Sequence, residues 1–260
     1  MESGEKNYNF FFEVFKSILL SCLRILATAG IFFFHILGLY GFDNRGIDFF
    51  SIIIFCFLSG YLLHSVKLNS FGWLKSRFLS IMIPYWLVIV PVLIINRIIS
   101  YKETTVLGDF ITLLGGNMFL RTKVYVIAWY ITFVLLLYAF VYVQSFFENP
   151  LLKVLIWMVG LFIFGIILNK FYYFMSFGIG FFLSNIFIPP DKNIAKSNHL
   201  SKALFVAQGH CYGFFLIHGG VLLCLFNILN FNITNAFLVG ILLSAGGAIV
   251  LHLITKFRYQ

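Results

Sequence analysis

The 260 residues are 61% hydrophobic and only 10% charged, include 35 phenylalanines and have a mean hydropathy of +0.99, more apolar material than a water-soluble core of this length can absorb. The formal net charge is +9. Its cations are scattered at the ends of apolar runs, with no basic stretch rich enough to follow a phosphate backbone, and this excludes a nucleic-acid partner. Uncharged apolar runs longer than about 18 residues fill the chain and show no period-two alternation, which excludes a membrane β-barrel. The fold class expected is therefore all-α: a polytopic membrane helix bundle of about eight transmembrane helices, forming a single integral membrane domain over residues 1–260.

In chain order, the N-terminus MESGEKNYNFFFEVFK lacks the basic, apolar and small-residue regions of a cleaved signal, so the first span is expected to be retained. Eight spans follow, at Phe15–Tyr40, Phe49–Val66, Phe78–Asn96, Val124–Phe147, Leu151–Leu168, Phe171–Ile188, Ala203–Leu229 and Phe237–Thr255. The weakest boundary is the Asn169-Lys170 break between two short runs. With the N-terminus inside, eleven basic residues fall in cytoplasmic segments and six in outer ones, while Arg24 lies within a span. The positive-inside rule thus predicts a multi-pass protein of the cytoplasmic membrane with both termini in the cytoplasm. The longest outer loop, Arg97–Lys123, runs against the rule. No internal repeat, low-complexity segment or linker interrupts the pattern.

Arg24 and His35 interrupt an otherwise apolar run from Ser17 to Phe42. Eleven residues apart on a helix, they fall within about 20° of one another on one face and roughly 16 Å apart along the axis. A charge near the bilayer centre costs at least about 2.5 kcal/mol, so such residues face a protein interior or a wet cavity and mark a functional site by default. The competing reading for Arg24 is snorkelling to the interface, and for His35 an interhelical hydrogen bond; their shared face favours function. Cys22, Cys56, Cys211 and Cys224 all lie in apolar runs without metal-ligand spacing and read as small buried hydrophobes, so no metal is expected.

Other strings accompany the pair. GFDNRGIDFFSIIIFCFLSGYLL carries Asp48 at the outer mouth of the second span and Ser59-Gly60 within it. FGWLKSRFLSIMIPYW brings Lys75 and Arg77 to the cytoplasmic end of the third span, before Pro84. AWYITFVLLLY surrounds Trp129, and HCYGFFLIHGG ends at His218. Taken in this order, the strings resemble the acyltransferase 3 family of integral membrane acyltransferases. Arg24 and His35 match its R-x10-H pair, GIDFFSIIIFCFLSGYLL its "gvdlFFvlSGfli" segment, WLKSRFLSIMIPYW its basic approach to the third helix, AWYI its Trp-Phe/Tyr motif and CYGFFLIH its "S-x-x-IYLIH" motif. The sequence departs from the family at Ser80, where a second arginine is often found, and at Ile127 or Ala128, where a histidine often precedes the Trp motif. It also has fewer spans than the ten or so common among members.

The resemblance implies transfer of an acyl group, usually acetyl from cytoplasmic acetyl-CoA or another acyl-CoA, to a hydroxyl of a cell-envelope or exopolysaccharide sugar, presented as a glycan or lipid-linked sugar on the other face. On this reading Arg24, Lys75 and Arg77 hold the donor's phosphates, a task suited to the planar donor fork of arginine. His35 acts as general base, or less favourably as acyl acceptor, with Asp48 fixing its tautomer. Ser59, Trp129 and His218 are candidates for substrate contact or oxyanion stabilisation. Set against these roles, Lys75 and Arg77 also serve as topological anchors, Asp48 as a helix cap, Ser59-Gly60 as a close-approach site, and His218 as a packed side chain. His64, His210 and His252 are read as structural. Two other functions remain open: a transporter or flippase for lipid-linked sugars, disfavoured by the absence of repeated halves, and an inactive subunit among polysaccharide-synthesis partners.

Overall fold

Hydrocarbon offers the backbone no hydrogen-bonding partner, and most of the described residues answer with helix. The computed structural model describes residues 2–44, 46–63, 68–99, 103–116, 118, 129–190, 199–227, 229 and 231–256. The helices are α1 (Glu2–Leu39), α2 (Ile47–Tyr61), α3 (Phe71–Ile99), α4 (Val106–Leu113), α5 (Trp129–Gln144), α6 (Pro150–Gly160, continued by a π-helical stretch Leu161–Ile167), α7 (Phe171–Leu183), α8 (His199–Asn227) and α9 (Ile233–Lys256), with no strand among the described residues. Five apolar segments, Phe10–Leu39, Phe71–Ile98, Pro150–Ile167, His199–Phe226 and Ile233–Thr255, are long enough to cross a bilayer, and α2, α5 and α7 are shorter apolar helices. Together they occupy the eight expected spans. The protein is thus a multi-pass helical membrane protein.

Boundaries moved where charged residues continue a helix past its apolar core. α1 begins more than three turns before Phe15, its first polar turns steadied by the Lys16–Glu13 ion pair one turn apart. α3 begins at Phe71, not Phe78, because nothing between them breaks a helix; Lys75 and Arg77 are therefore helical. Of the cysteines, Cys56 and Cys211 are buried as expected, whereas Cys224 is exposed. Arg45, His64, Arg121, Lys123, Ile127 and Ala128 lie outside the described residues.

The chain divides into two compact units, Met1–Val66 with Asn169–Phe215, and Lys67–Leu168 with Leu216–Gln260. In the first, α2 and α7 run side by side in the same direction: Phe49 meets Tyr172 and Tyr173, and the Ser176 hydroxyl donates to the Ile53 carbonyl at 2.8 Å. α8 runs parallel to α1, with Ser201 beside Ser17 and Phe214 edge-on to Phe32 at 5.6 Å. Parallel neighbours are what alternating crossings require of the second and sixth spans, and of the first and seventh. In the second unit α5 returns antiparallel to α3, with Trp73 edge-on to Tyr138 at 6.0 Å, and α6 antiparallel to α5, through Phe140–Trp157 and Phe133–Phe164.

The sequence reading missed α4. The stretch treated as a long outer loop carries a short helix started by Thr105, whose side chain accepts from the Gly108 amide at 3.0 Å. α4 folds back along α3. Asp109 pairs with Arg97 at 2.5 Å, Trp86 donates to the Leu113 carbonyl at 2.8 Å, Tyr85 donates to the Thr112 carbonyl at 2.6 Å, and Gly115 reaches Met82. The pairing neutralises one of the cations that made this segment offend the positive-inside rule. Non-helical backbone at membrane depth survives only where protein satisfies it, and here Tyr85, Trp86 and Thr132, the last donating to the Gly115 carbonyl, take the carbonyls that α4 leaves open. Thr132→Val is expected to cost about 1–3 kcal/mol by stranding that carbonyl. A lowered thermal midpoint in detergent checks it; an unchanged midpoint would mean that Gly115 has another donor.

Candidate functional site

The buried side of α1 is a seam of alternating three- and four-residue steps. Val14, Ser17, Ser21, Thr28 and Ile31 are buried, and Arg24 and His35, both half-buried, fall on the same progression. Phe15, Leu19, Leu26 and Phe33 are exposed on the opposite side. Both ionisable residues therefore lie on the face that α1 turns towards the other helices of its unit. Around Arg24, Thr28 donates to the Arg24 carbonyl at 2.9 Å, and Cys211 of α8 lies against Thr28 and within electrostatic reach of the guanidinium.

His35 sits one turn before the end of α1. The chain reverses through Gly41 and Gly46, at φ 75° and 88°, a region that favours glycine. Asn44 ties the turn back by donating to the Phe34 carbonyl at 2.7 Å. A side chain at Gly38 would meet the Asn44 amide nitrogen at 2.8 Å. The tight turn delivers Asp48 in the first turn of α2, where its negative charge suits the helix N-terminus. From there the carboxylate acts electrostatically on His35, Lys170 and Tyr173.

Lys170 and Tyr173 are the functional candidates that sequence reasoning missed. Lys170, half-buried just before α7, places its ammonium 5.5 Å from the centre of the Tyr173 ring, and Tyr173 packs on Phe49, the neighbour of Asp48. Burial pulls the Lys170 ammonium below the ordinary lysine range, and the Asp48 charge pulls it back up. The signal was present as the Asn169-Lys170 interruption, where Asn169 takes φ 50°, but it reads as a boundary only. A depressed value means more free amine at a given pH. Lys170 should therefore react with an amine reagent at lower pH than a model lysine amide, and Asp48→Asn should lower that pH further by removing the opposing charge. Mass spectrometry of the labelled Lys170 peptide reads both; labelling unmoved by Asp48→Asn would uncouple the two residues.

Ser59 is set apart from His35. Gly30 of α1 sits against Ser51 of α2, and the two helices run in opposite directions, so Ser59, eight residues on, lies roughly 12 Å along the axis towards the Arg24 end. Next to it, Gly60 makes the close crossing with α7. The remaining candidates belong to the second unit. Lys75 and Arg77 are about 200° apart around α3, so they point to different sides. Lys75 is exposed, while Arg77 is half-buried and its carbonyl accepts from Ser80 at 2.8 Å. Trp129 opens α5, with its ring near those of Tyr130 and Phe133. His218 is fully buried on α8. The structure thus groups Arg24, His35 and Asp48 in one unit and carries Lys75, Arg77, Trp129 and His218 in the other. Among the described residues no group of three or more His, Cys, Asp or Glu could hold a metal ion.

This constellation offers an imidazole with a carboxylate in electrostatic reach near one end of α1 and a guanidinium further along the same seam. Residues 18–190, more than half of the chain, match the acyltransferase 3 family model, described as an acyltransferase domain. The match takes in Arg24, His35, Asp48, Lys75, Arg77 and Trp129, and ends before the Cys211–His218 string. No curated protein and no solved structure matches the chain. The chain belongs to the acyltransferase 3 family and is a multi-pass membrane acyltransferase.

Proposed function

We propose that the protein moves an acetyl or other short acyl group from cytoplasmic acyl-CoA to a hydroxyl of a cell-envelope or exopolysaccharide sugar, in the cytoplasmic membrane with both termini inside. The observation that carries this reading is the buried seam of α1, which holds Arg24 and His35 on one face with Asp48 in electrostatic reach of His35. Arg24 meets the donor's phosphates, while for Arg77 donor contact rests on the family resemblance alone. Lys75 is the less suitable donor ligand, since it points some 200° away from Arg77. The extended pantetheine arm has about the reach of the roughly 16 Å between Arg24 and His35.

At His35 the imidazole removes the proton of the acceptor hydroxyl as the oxygen attacks the thioester carbonyl. The tetrahedral intermediate collapses by breaking the carbon–sulfur bond, and the imidazolium returns the proton to the departing thiolate, giving the sugar ester and free CoA. Asp48 holds the second ring nitrogen as donor and steadies the transient imidazolium. Lys170, in electrostatic contact with Asp48, acts on the site through that residue. Trp129 and His218 stay candidates for substrate contact through the resemblance alone.

The test is donor kinetics in membranes. Arg24→Gln should raise the KM for acetyl-CoA about tenfold or more, as expected when a charge-assisted hydrogen bond worth roughly 1.5–3 kcal/mol is lost, with kcat little changed. A collapse of kcat at unchanged KM would move Arg24 from donor binding into the chemistry.

A further inference from the structure

Within the second unit, α3, α5 and the segment after α4 enclose a groove of about 460 Å³ that the acyl-transfer reading does not use. Its walls are apolar, with Phe71, Leu74 and Phe78 on α3 facing Leu136 and Ala139 on α5, and its floor is the bare backbone of Gly115-Gly116. The one wall hydroxyl on α5 nearest that floor, Thr132, is spent on the Gly115 carbonyl. Lys75 is the charged residue in the lining; it is exposed and makes no ion pair or hydrogen bond among the described residues.

The depth of these groups decides what fits. The apolar segment Phe71–Ile98 has 28 residues, about 42 Å of helix against a hydrocarbon core of about 30 Å, so its ends reach the headgroup layer. Lys75, about 6 Å in from Phe71, stands near the headgroup boundary. The groove continues inward to Gly115, beside Met82, about 10 Å deeper than Lys75 and short of the bilayer centre. A cation at headgroup level above an apolar trough one leaflet deep is complementary to a molecule with a negative head and a hydrocarbon tail. Phe71, Phe78 and Leu114 are exposed at its rim, so such a molecule can enter sideways from the bilayer.

We propose that this groove is a binding site for an anionic phospholipid, with its phosphate on Lys75 and one acyl chain laid between α3 and α5. The groove face of α3 is centred about 110° round the helix from Arg77, and the site stands independently of the catalytic reading. Titration of the purified full-length protein in detergent with phosphatidylglycerol or phosphatidylcholine of identical chains, read by native mass spectrometry, tests it. The wild type should bind phosphatidylglycerol about fivefold more tightly, the preference expected of one lysine at a charged lipid surface. Lys75→Gln should erase that preference while retaining chain binding, and Ala139→Phe, which fills the trough, should weaken both lipids. Equal binding of the two lipids by the wild type, a preference that survives Lys75→Gln, or displacement of phosphatidylglycerol by acetyl-CoA would overturn the proposal. Should Ala139→Phe fail to fold, the wild type and the exposed Lys75 variant still decide it.

Discussion

His35→Ala is expected to lower kcat by roughly a hundred- to ten-thousand-fold, the range over which a positioned general base contributes, while leaving the donor KM within about twofold. The split follows from geometry. His35 lies eleven residues from Arg24, so truncating its imidazole leaves the proposed phosphate contact intact and removes only the group that takes the proton. Asp48→Asn should also lower kcat, since an amide at that position no longer stabilises the imidazolium. Lys170→Gln should have the smallest effect of the three, because it acts only through Asp48. Its positioning role is read from the pH profile of kcat, which should shift in the Lys170 variant while a merely structural change would scale the whole profile. Equal losses in all three variants would point to collapse of this end of the unit.

The second large effect is structural. A side chain at Gly180 would fall onto the carbonyl oxygen of Phe57 and come within 3.0 Å of its carbonyl carbon and of the Tyr61 nitrogen. Reciprocally, one at Gly60 would strike the Phe177 carbonyl oxygen and lie 2.9 Å from the Phe181 nitrogen. These neighbours are backbone, which cannot swing aside, so α2 and α7 must separate to admit even one methyl group. Small residues at such crossings are how membrane helices approach closely. Gly180→Leu should therefore cost at least the 1–3 kcal/mol typical of overpacking, and more where the shift propagates. It should also disturb the site, because α2 carries Asp48 and Lys170 immediately precedes α7. Recovery of monodisperse protein from mild detergent should fall sharply for Gly180→Leu. Gly209→Ala and Gly246→Ala, where nothing lies within 4 Å, should behave like the wild type. Equal recovery of Gly180→Leu would show that the crossing is looser than described.

The long-range plan of the chain was legible because it rests on composition and period. Eight apolar runs announce eight apolar helices, five of them long enough to cross a bilayer, and an R-x10-H pair on one run declares a shared face whatever surrounds it. α1 confirms that arithmetic, since Arg24 and His35 continue the three- and four-residue steps of its buried seam. What the sequence hid was backbone that turns back on itself. α4 has only eight residues, too few for a hydropathy window to register, and its stability comes from Tyr85, Trp86 and Arg97, side chains supplied by α3. Lys170 was hidden for a related reason. It stands 122 residues after Asp48, and only the parallel pairing of α2 with α7 brings the two ends together. Ser59 shows how pairing direction sets position: it lies within an attractive motif, and the antiparallel run of α2 carries it towards the Arg24 end of α1.

Acyl transfer itself remains the measurement on which the account turns. Membranes expressing wild type or His35→Ala at matched levels, supplied with radiolabelled acetyl-CoA, report it as label in envelope or exopolysaccharide glycans. The account predicts label with the wild type and background with His35→Ala. No label above background in either membrane would contradict it and favour a transporter or structural role for the same buried pair, and equal label in both would remove His35 from the chemistry.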